Sequence, residues 1–151
     1  MTPLFTKLNL ASRSSITVLH APASFEAELT ALKGVKIMRG VKGKVAFAIA
    51  FVTKQADLDR VSADLAKAAD GDAVIWIAYP KGTSKRYTCE FNRDSGWNVL
   101  GKAGYEPVRM VAIDEDWSAL RFRKVDHIKT MKRNPAGAIS QAGKKRTQGT
   151  R

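Results

Sequence analysis

Val45-Ala-Phe-Ala-Ile-Ala-Phe-Val52 is apolar at every one of its eight positions. It follows the turn-like Val41-Lys-Gly-Lys44 and precedes Thr53. Such a run is too short for a membrane span and suits a strand buried on both faces, as in a parallel sheet covered by helices. Ala73-Val-Ile-Trp-Ile-Ala78 reads the same way, within a strand over 72–79. Between the two, Leu58, Val61, Leu65 and Ala68 recur at helical spacing. Thr53 is placed to cap that helix, Asp57 and Asp59 lie near its positive end, and Asp70-Gly71 closes it.

Working outward, residues 1–14 read as an irregular segment whose Leu4, Phe5, Leu8 and Leu10 can pack on the body. Ile16 to Leu19 is a short strand ending at His20-Ala-Pro22. Ser24 is read as the N-cap of a helix with Glu26 in its first turn, Phe25, Leu29 and Leu32 as its stripe and Gly34 as its stop. Val35 to Met38 is a second strand. Beyond Tyr79, a basic loop runs from Pro80 to about Asn92, and Trp97, Leu100 and Ala103 mark a short helix closed by Gly104. Val108 to Ile113 and Ser118 to Val125 are strands separated by Asp114-Glu-Asp116, a spacing that makes a hairpin. The order β-α-β-β-α-β-α-β-β predicts an α/β three-layer sandwich with a mostly parallel sheet, its C-terminal hairpin adding one antiparallel edge strand. One domain is expected over residues 1–133.

The chain has 151 residues and a formal charge of +12, from 26 Lys and Arg against 14 Asp and Glu. Half of that charge lies in Asp126–Arg151, with seven Lys and Arg and one Asp. Residues 134–151 hold one large apolar residue, Ile139, and are expected to form a disordered basic tail. Lys33, Lys36, Arg39, Lys42 and Lys44 form an acid-free basic stretch, and Lys81, Lys85 and Arg86 a second cluster. The charge points to an anionic ligand or a nucleic acid as partner. Phosphate contact would fall to Lys129, Lys132, Arg133, Lys144, Lys145 and Arg146, without aromatic platforms for bases.

A single cysteine, Cys89, excludes an intrachain disulfide and a zinc site of several thiolates, and fits a reducing, cytoplasmic setting. His20 and His127 are the only histidines, no metal-ligand spacing joins them, and no metal site is expected. The first ten residues lack the pattern of a signal peptide, and no membrane partner is expected.

The unit from Thr53-Lys-Gln-Ala-Asp-Leu58 to Ala73-Val-Ile-Trp-Ile-Ala-Tyr-Pro-Lys81 resembles a small family of uncharacterised bacterial domains whose corresponding strand ends in Trp-Pro-Lys. Asp114-Glu-Asp-Trp-Ser-Ala-Leu120 matches that family's Asp-Glu-x-Trp-Ser-x-Leu segment, and Tyr79 replaces the Trp before Pro80. The resemblance covers roughly residues 2–125 and leaves the basic tail outside. It implies a Rossmann-like fold similar to a reduced class I methyltransferase, with the first strand near the middle of the sheet. Two features of that class are missing. The loop after the first strand, His20-Ala-Pro-Ala-Ser24, has no glycine, and Arg39 stands where an acid would bind ribose hydroxyls. On that ground S-adenosylmethionine is not expected as a cofactor. The expectation is a cytoplasmic, non-catalytic binding or accessory protein, with a divergent methyltransferase and non-specific nucleic-acid binding as alternatives.

Ligands of open α/β sheets sit beyond the carboxyl ends of the strands. His20, Ser24, Arg39, Thr53, Lys54, Tyr79 and Lys81 fall there, and all of these but Tyr79 form a candidate anion edge at two helix N-termini. Read structurally, the two hydroxyls are ordinary caps and the cations are solvated ends. No catalytic residue is assigned, because His20 has no Ser or Cys in a nucleophile motif beside it. Cys89 lies near Lys85, Arg86 and Arg93, a setting able to lower its pKa, but as a lone cysteine with no identified base it reads as inert, its loop position leaving it open to modification. Asp114, Glu115 and Asp116 read as a polar turn, and Trp117 as packing.

Overall fold

In the computed structural model, which describes residues 3–128, the decisive run is strand β3, Val45–Phe51. Phe47, Ile49 and Phe51 face one side of the sheet, and Ala48 and Ala50 face the other. That alternation of large and small side chains is why the run is buried on both faces.

The elements are α1 (Pro3–Lys7), β1 (Ser15–Leu19), α2 (Ala23–Thr30), β2 (Lys36–Met38), β3, α3 (Gln55–Ala68), β4 (Ala69–Pro80), α4 (Asn98–Lys102), β5 (Tyr105–Ala112) and β6 (Trp117–Lys124). A 3-10 turn, Val125–His127, follows β6. The six strands lie in the order β2-β1-β3-β4-β6-β5. The first four run parallel, and β6 is antiparallel to both β4 and β5. The sheet therefore carries its antiparallel strand one place in from the edge. The expectation of an antiparallel edge strand is corrected in this respect. β6 pairs with β4 and leaves β5 outside it.

Two cores sandwich the sheet. Leu58, Val61 and Leu65 of α3, with Trp97 and Leu100 around α4, cover one face. Each such buried aliphatic side chain contributes roughly 1.5–3 kcal/mol. Phe25 and Leu29 of α2 cover the other face together with Phe5, Leu8 and Leu10. The N-terminal segment is thus not irregular throughout. Pro3 opens a five-residue helix, and the Trp76 indole N–H of β4 donates to the Leu8 carbonyl at 2.8 Å.

β2 and β3 flank β1, and only residues 39–44 connect them. Parallel crossovers usually take a dozen residues or more and include a helix. This connection has none. It packs Val41 against the α3-side core and leaves a groove of about 600 Å³ lined by Leu19, His20, Val41, Arg60, Asp64 and Lys67, among others. Among the described residues no helix is long and apolar enough to cross a membrane.

Candidate functional site at the strand ends

The chain leaves β1 into α2 on one face of the sheet and leaves β3 into α3 on the other. β1 and β3 are neighbours, so their two connections diverge and open a crevice at a topological switch point. One wall is His20-Ala-Pro22 and the other is Val52-Thr-Lys54.

His20 is exposed and takes φ 59. This is the left-handed turn that glycine adopts most easily, and that histidine tolerates better than most residues. The turn thus forms without a glycine. Pro22, not Ser24, holds the N-cap position of α2, and no side chain caps that helix. Ser24 lies inside the first turn, and its hydroxyl donates to Asp114 Oδ2 at 3.0 Å. Thr53 does not cap α3 either. Lys54 holds that position, and the Gln55 amide donates to Glu90 Oε1 at 2.8 Å. The Glu90 amide in turn donates to the Thr53 carbonyl at 2.9 Å. The long loop after β4 therefore folds back and tethers the end of β3.

Arg39 does not present a bare charge. Its guanidinium makes a two-pronged bond to Glu26, Nη1 to Oε2 at 2.6 Å and Nη2 to Oε1 at 2.8 Å. This pairing holds the Glu26 carboxyl below its ordinary range, chiefly through the hydrogen bonds. A carboxylate does stand beside the end of β2, then, supplied by α2.

At the end of β4 lies a pocket of about 720 Å³, lined among others by Tyr79, Lys81, Tyr87, Cys89, Arg93 and Ser118. Tyr79 is buried, and its hydroxyl donates to Met110 Sδ at 3.6 Å. Burial pushes its pKa up, against the pull of Arg93. Cys89 departs from expectation, because burial pushes its thiol up and outweighs the Phe91 backbone hydrogen bond. The acids of the β5–β6 turn fasten the pocket's loop. Asp114 Oδ1 accepts from the amides of Asp116 and Trp117, and Asp116 Oδ1 accepts from the Ser84 hydroxyl at 2.9 Å. The Lys81 amide donates to the Asp116 carbonyl. Trp117 packs between Phe51 and Tyr87, and its indole N–H is buried with no partner among the described residues.

Of the residues singled out in the sequence, His20 lines the groove beside α3, while Tyr79 and Lys81 line the β4 pocket. Arg39 is tied to α2, Ser24 to the β5–β6 turn, and Thr53 to Glu90. Glu26, Glu90 and Trp117 enter this edge through tertiary contacts that local pattern does not encode. Lys129, Lys132, Arg133, Lys144, Lys145 and Arg146 lie outside the described residues.

The sheet order and its inset antiparallel strand define a methyltransferase-like Rossmann fold. No protein-family model matches the chain, and no curated protein matches it. Solved structures do. The N-methyltransferase NodS from Bradyrhizobium japonicum WM9 is 12% identical with a TM-score of 0.53, over 80% of this chain and 92% of that one. A SAM-dependent methyltransferase from Aquifex aeolicus is 12% identical with a TM-score of 0.53, over 81% and 88%. Magnesium protoporphyrin IX methyltransferase from Synechocystis PCC 6803, solved with SAM bound, is 13% identical with a TM-score of 0.50, over 80% and 74%.

At such identity the likenesses establish the fold. They nevertheless run against two expectations, a non-catalytic binding or accessory protein and the exclusion of S-adenosylmethionine. Both are withdrawn. The physical grounds for them also weaken, since His20 makes the left-handed turn without glycine and Arg39 brings Glu26 to the end of β2.

Proposed function

We propose that the chain is a divergent S-adenosylmethionine-dependent methyltransferase whose cofactor edge is the β1–α2 turn, Leu19 to Ser24. The observation that carries the reading is the left-handed backbone at His20, at the end of β1 and beside the switch-point crevice. It supports an approach of ligand to backbone of the kind a glycine loop allows. Three features fit such a ligand. The N-terminus of α2 has no side-chain cap, and since the Phe25 and Glu26 amides bond the Pro22 carbonyl, the amides of Ala23 and Ser24 are those that would meet an acceptor. Glu26, held by Arg39, offers carboxylate oxygens for hydroxyl donors. Trp117 keeps a buried indole N–H, with no acceptor among the described residues, at the same end of the sheet.

S-adenosylmethionine, when bound, supplies a methyl group on a positively charged sulfur. The chain's own part is to orient the acceptor and exclude water. The β4 pocket has aromatic walls for an acceptor in Tyr79 and Tyr87. The reading extends to the small bacterial family sharing the Asp-Glu-x-Trp-Ser-x-Leu segment, in which Asp116 would fasten the loop of this pocket and Asp114 would shape the turn that carries it. Cytoplasmic placement belongs to the same proposal.

Isothermal titration with S-adenosylmethionine and with S-adenosylhomocysteine tests it. One-to-one binding in the micromolar range is expected, weakened at least about tenfold by Glu26→Gln, a loss of roughly 1.4 kcal/mol. No heat from either compound up to millimolar concentration refutes it.

A further inference from the structure

The face of the sheet that carries α1 and α2 ends in four arginines. Arg109 of β5 lies directly across from Arg121 of β6, and Arg123 follows two residues on. Arg13 of the N-terminal segment lies close enough to Arg121 to act on its charge, and its guanidinium donates to the carbonyls of Asn9 at 3.0 Å and Leu10 at 3.2 Å. The acids are unevenly placed. Asp72 accepts from Arg123 Nε at 2.8 Å, and Glu106 lies across from Arg123 in register. Both therefore stand at the Arg123 end. Among the described residues no ion pair reaches Arg13, Arg109 or Arg121.

Like charges directly opposite on neighbouring strands repel. Here the cost is raised because Arg121 is half-buried and its Nε is wholly buried, with no hydrogen-bond partner among the described residues. The Arg121 guanidinium accordingly loses protons more readily than usual, through burial first and then through Arg123, against the opposing pull of Asp72, with Arg13 and Arg109 adding to the loss. An anion laid across these groups would offset both the repulsion and the missing bond.

We propose that Arg13, Arg109 and Arg121 form a docking track for the phosphodiester backbone of a nucleic acid. Three arguments favour that occupant. The cations are spread over two strands and a separate segment, which suits a chain of phosphates better than one anion. The described chain ends at Ile128, just after β6, and residues 129–151 add seven more Lys and Arg with no acid. Those residues carry the same sign of charge as the track. Finally, Arg109 is flanked on its own face by the buried Val111. Of the two exposed large apolar side chains among the described residues, Met110 pairs with Leu120 on the opposite face, and Val108 stands alone at the bulge before Arg109. A protein partner would want an apolar centre there, whereas a phosphate backbone does not.

The test is fluorescence anisotropy of the full-length chain with a labelled single-stranded RNA of about 20 nucleotides, and the DNA of the same sequence, from roughly 50 to 200 mM salt. Wild-type protein should bind both. Arg109→Gln and Arg121→Gln should each weaken binding by about threefold to tenfold at low salt. Together they should flatten the salt slope by about 1.4, at about 0.7 for each phosphate no longer neutralised. Arg109→Lys should retain most of the affinity. Circular dichroism checks folding, and Arg109, being exposed, carries the test if Arg121→Gln does not fold. Unchanged affinity and slope in the Arg109 variant overturn the proposal, as does binding abolished by Lys144→Gln/Lys145→Gln/Arg146→Gln alone. Displacement of the probe by inorganic phosphate at matched ionic strength would show a single-anion site and overturn it too. So would a probe that wild-type protein leaves free.

Discussion

Replacing Trp76 with phenylalanine removes one donor from the centre of the molecule while keeping an aromatic ring there. Trp76 is fully buried on β4, and its indole N–H reaches the Leu8 carbonyl at 2.8 Å. Leu8 is itself fully buried. The variant therefore loses a bond and deprives a buried carbonyl of that donor, at a cost of about 1–3 kcal/mol. The smaller ring adds roughly 1 kcal/mol of lost burial. A total of about 2–4 kcal/mol should lower the melting temperature by roughly 8–15 °C for a domain of this size. The loss should be local as well as global. Leu8 and Leu10 donate their amides to Leu4 and Phe5, and these amides should exchange faster than those of β3. Arg13, held by Asn9 and Leu10, should become more mobile with them. Urea melts and native-state hydrogen exchange measure both effects. A loss below about 1 kcal/mol, with exchange at Leu8 and Leu10 unchanged, would refute the claim that this bond fixes the N-terminal segment to the sheet.

Two further perturbations probe the loop and the acid limit. At Gly96, φ is +99 and an added Cβ would come within 2.7 Å of Gln55 Oε1 and of Phe91 Cβ. Gly96→Ala should cost about 2–4 kcal/mol and expose the segment after β4 to limited proteolysis, whereas wild-type cleavage rates would contradict the packing. Arg123 holds the Asp72 carboxyl below its usual range through their hydrogen bonds, so the stabilisation is complete above the unfolded pKa near 4 and fades as pH falls through the lower folded value. Asp72→Asn should cost no more than about 1 kcal/mol at neutral pH, because both side chains are about a third exposed. Melts from about pH 2 to 7 should show a flatter acid limb for this variant, and an identical limb would dismiss the pair.

The central strands were legible because burial on both faces leaves an uninterrupted apolar run, as in Val45–Phe51 and residues 73–79 of β4. The hairpin was legible from its short acidic turn, but not its place in the sheet. Which of its strands meets β4 depends on side chains far apart in sequence that meet across the core, not on local pattern. α1 was missed because five residues have little helical stability of their own, and Pro3–Lys7 is held by Phe5 and by the anchored Leu8. The caps failed for a related reason. Ser24 and Thr53 have the right chemistry, yet the donor at the start of α3 is met by Glu90, thirty-five residues onward. Arg39 misled in the same way. Read singly it reverses a charge, whereas read with Glu26 it positions one. The arginine track was invisible in sequence because only strand register sets Arg109 opposite Arg121.

The most direct test of the cofactor edge is amide shift mapping by NMR of the full chain as S-adenosylhomocysteine is added. The account predicts saturable shifts concentrated at Leu19 to Ser24 and at Val52 to Lys54, the two walls of the crevice between β1 and β3. Saturating shifts confined to other surfaces, or none at millimolar ligand, would contradict it.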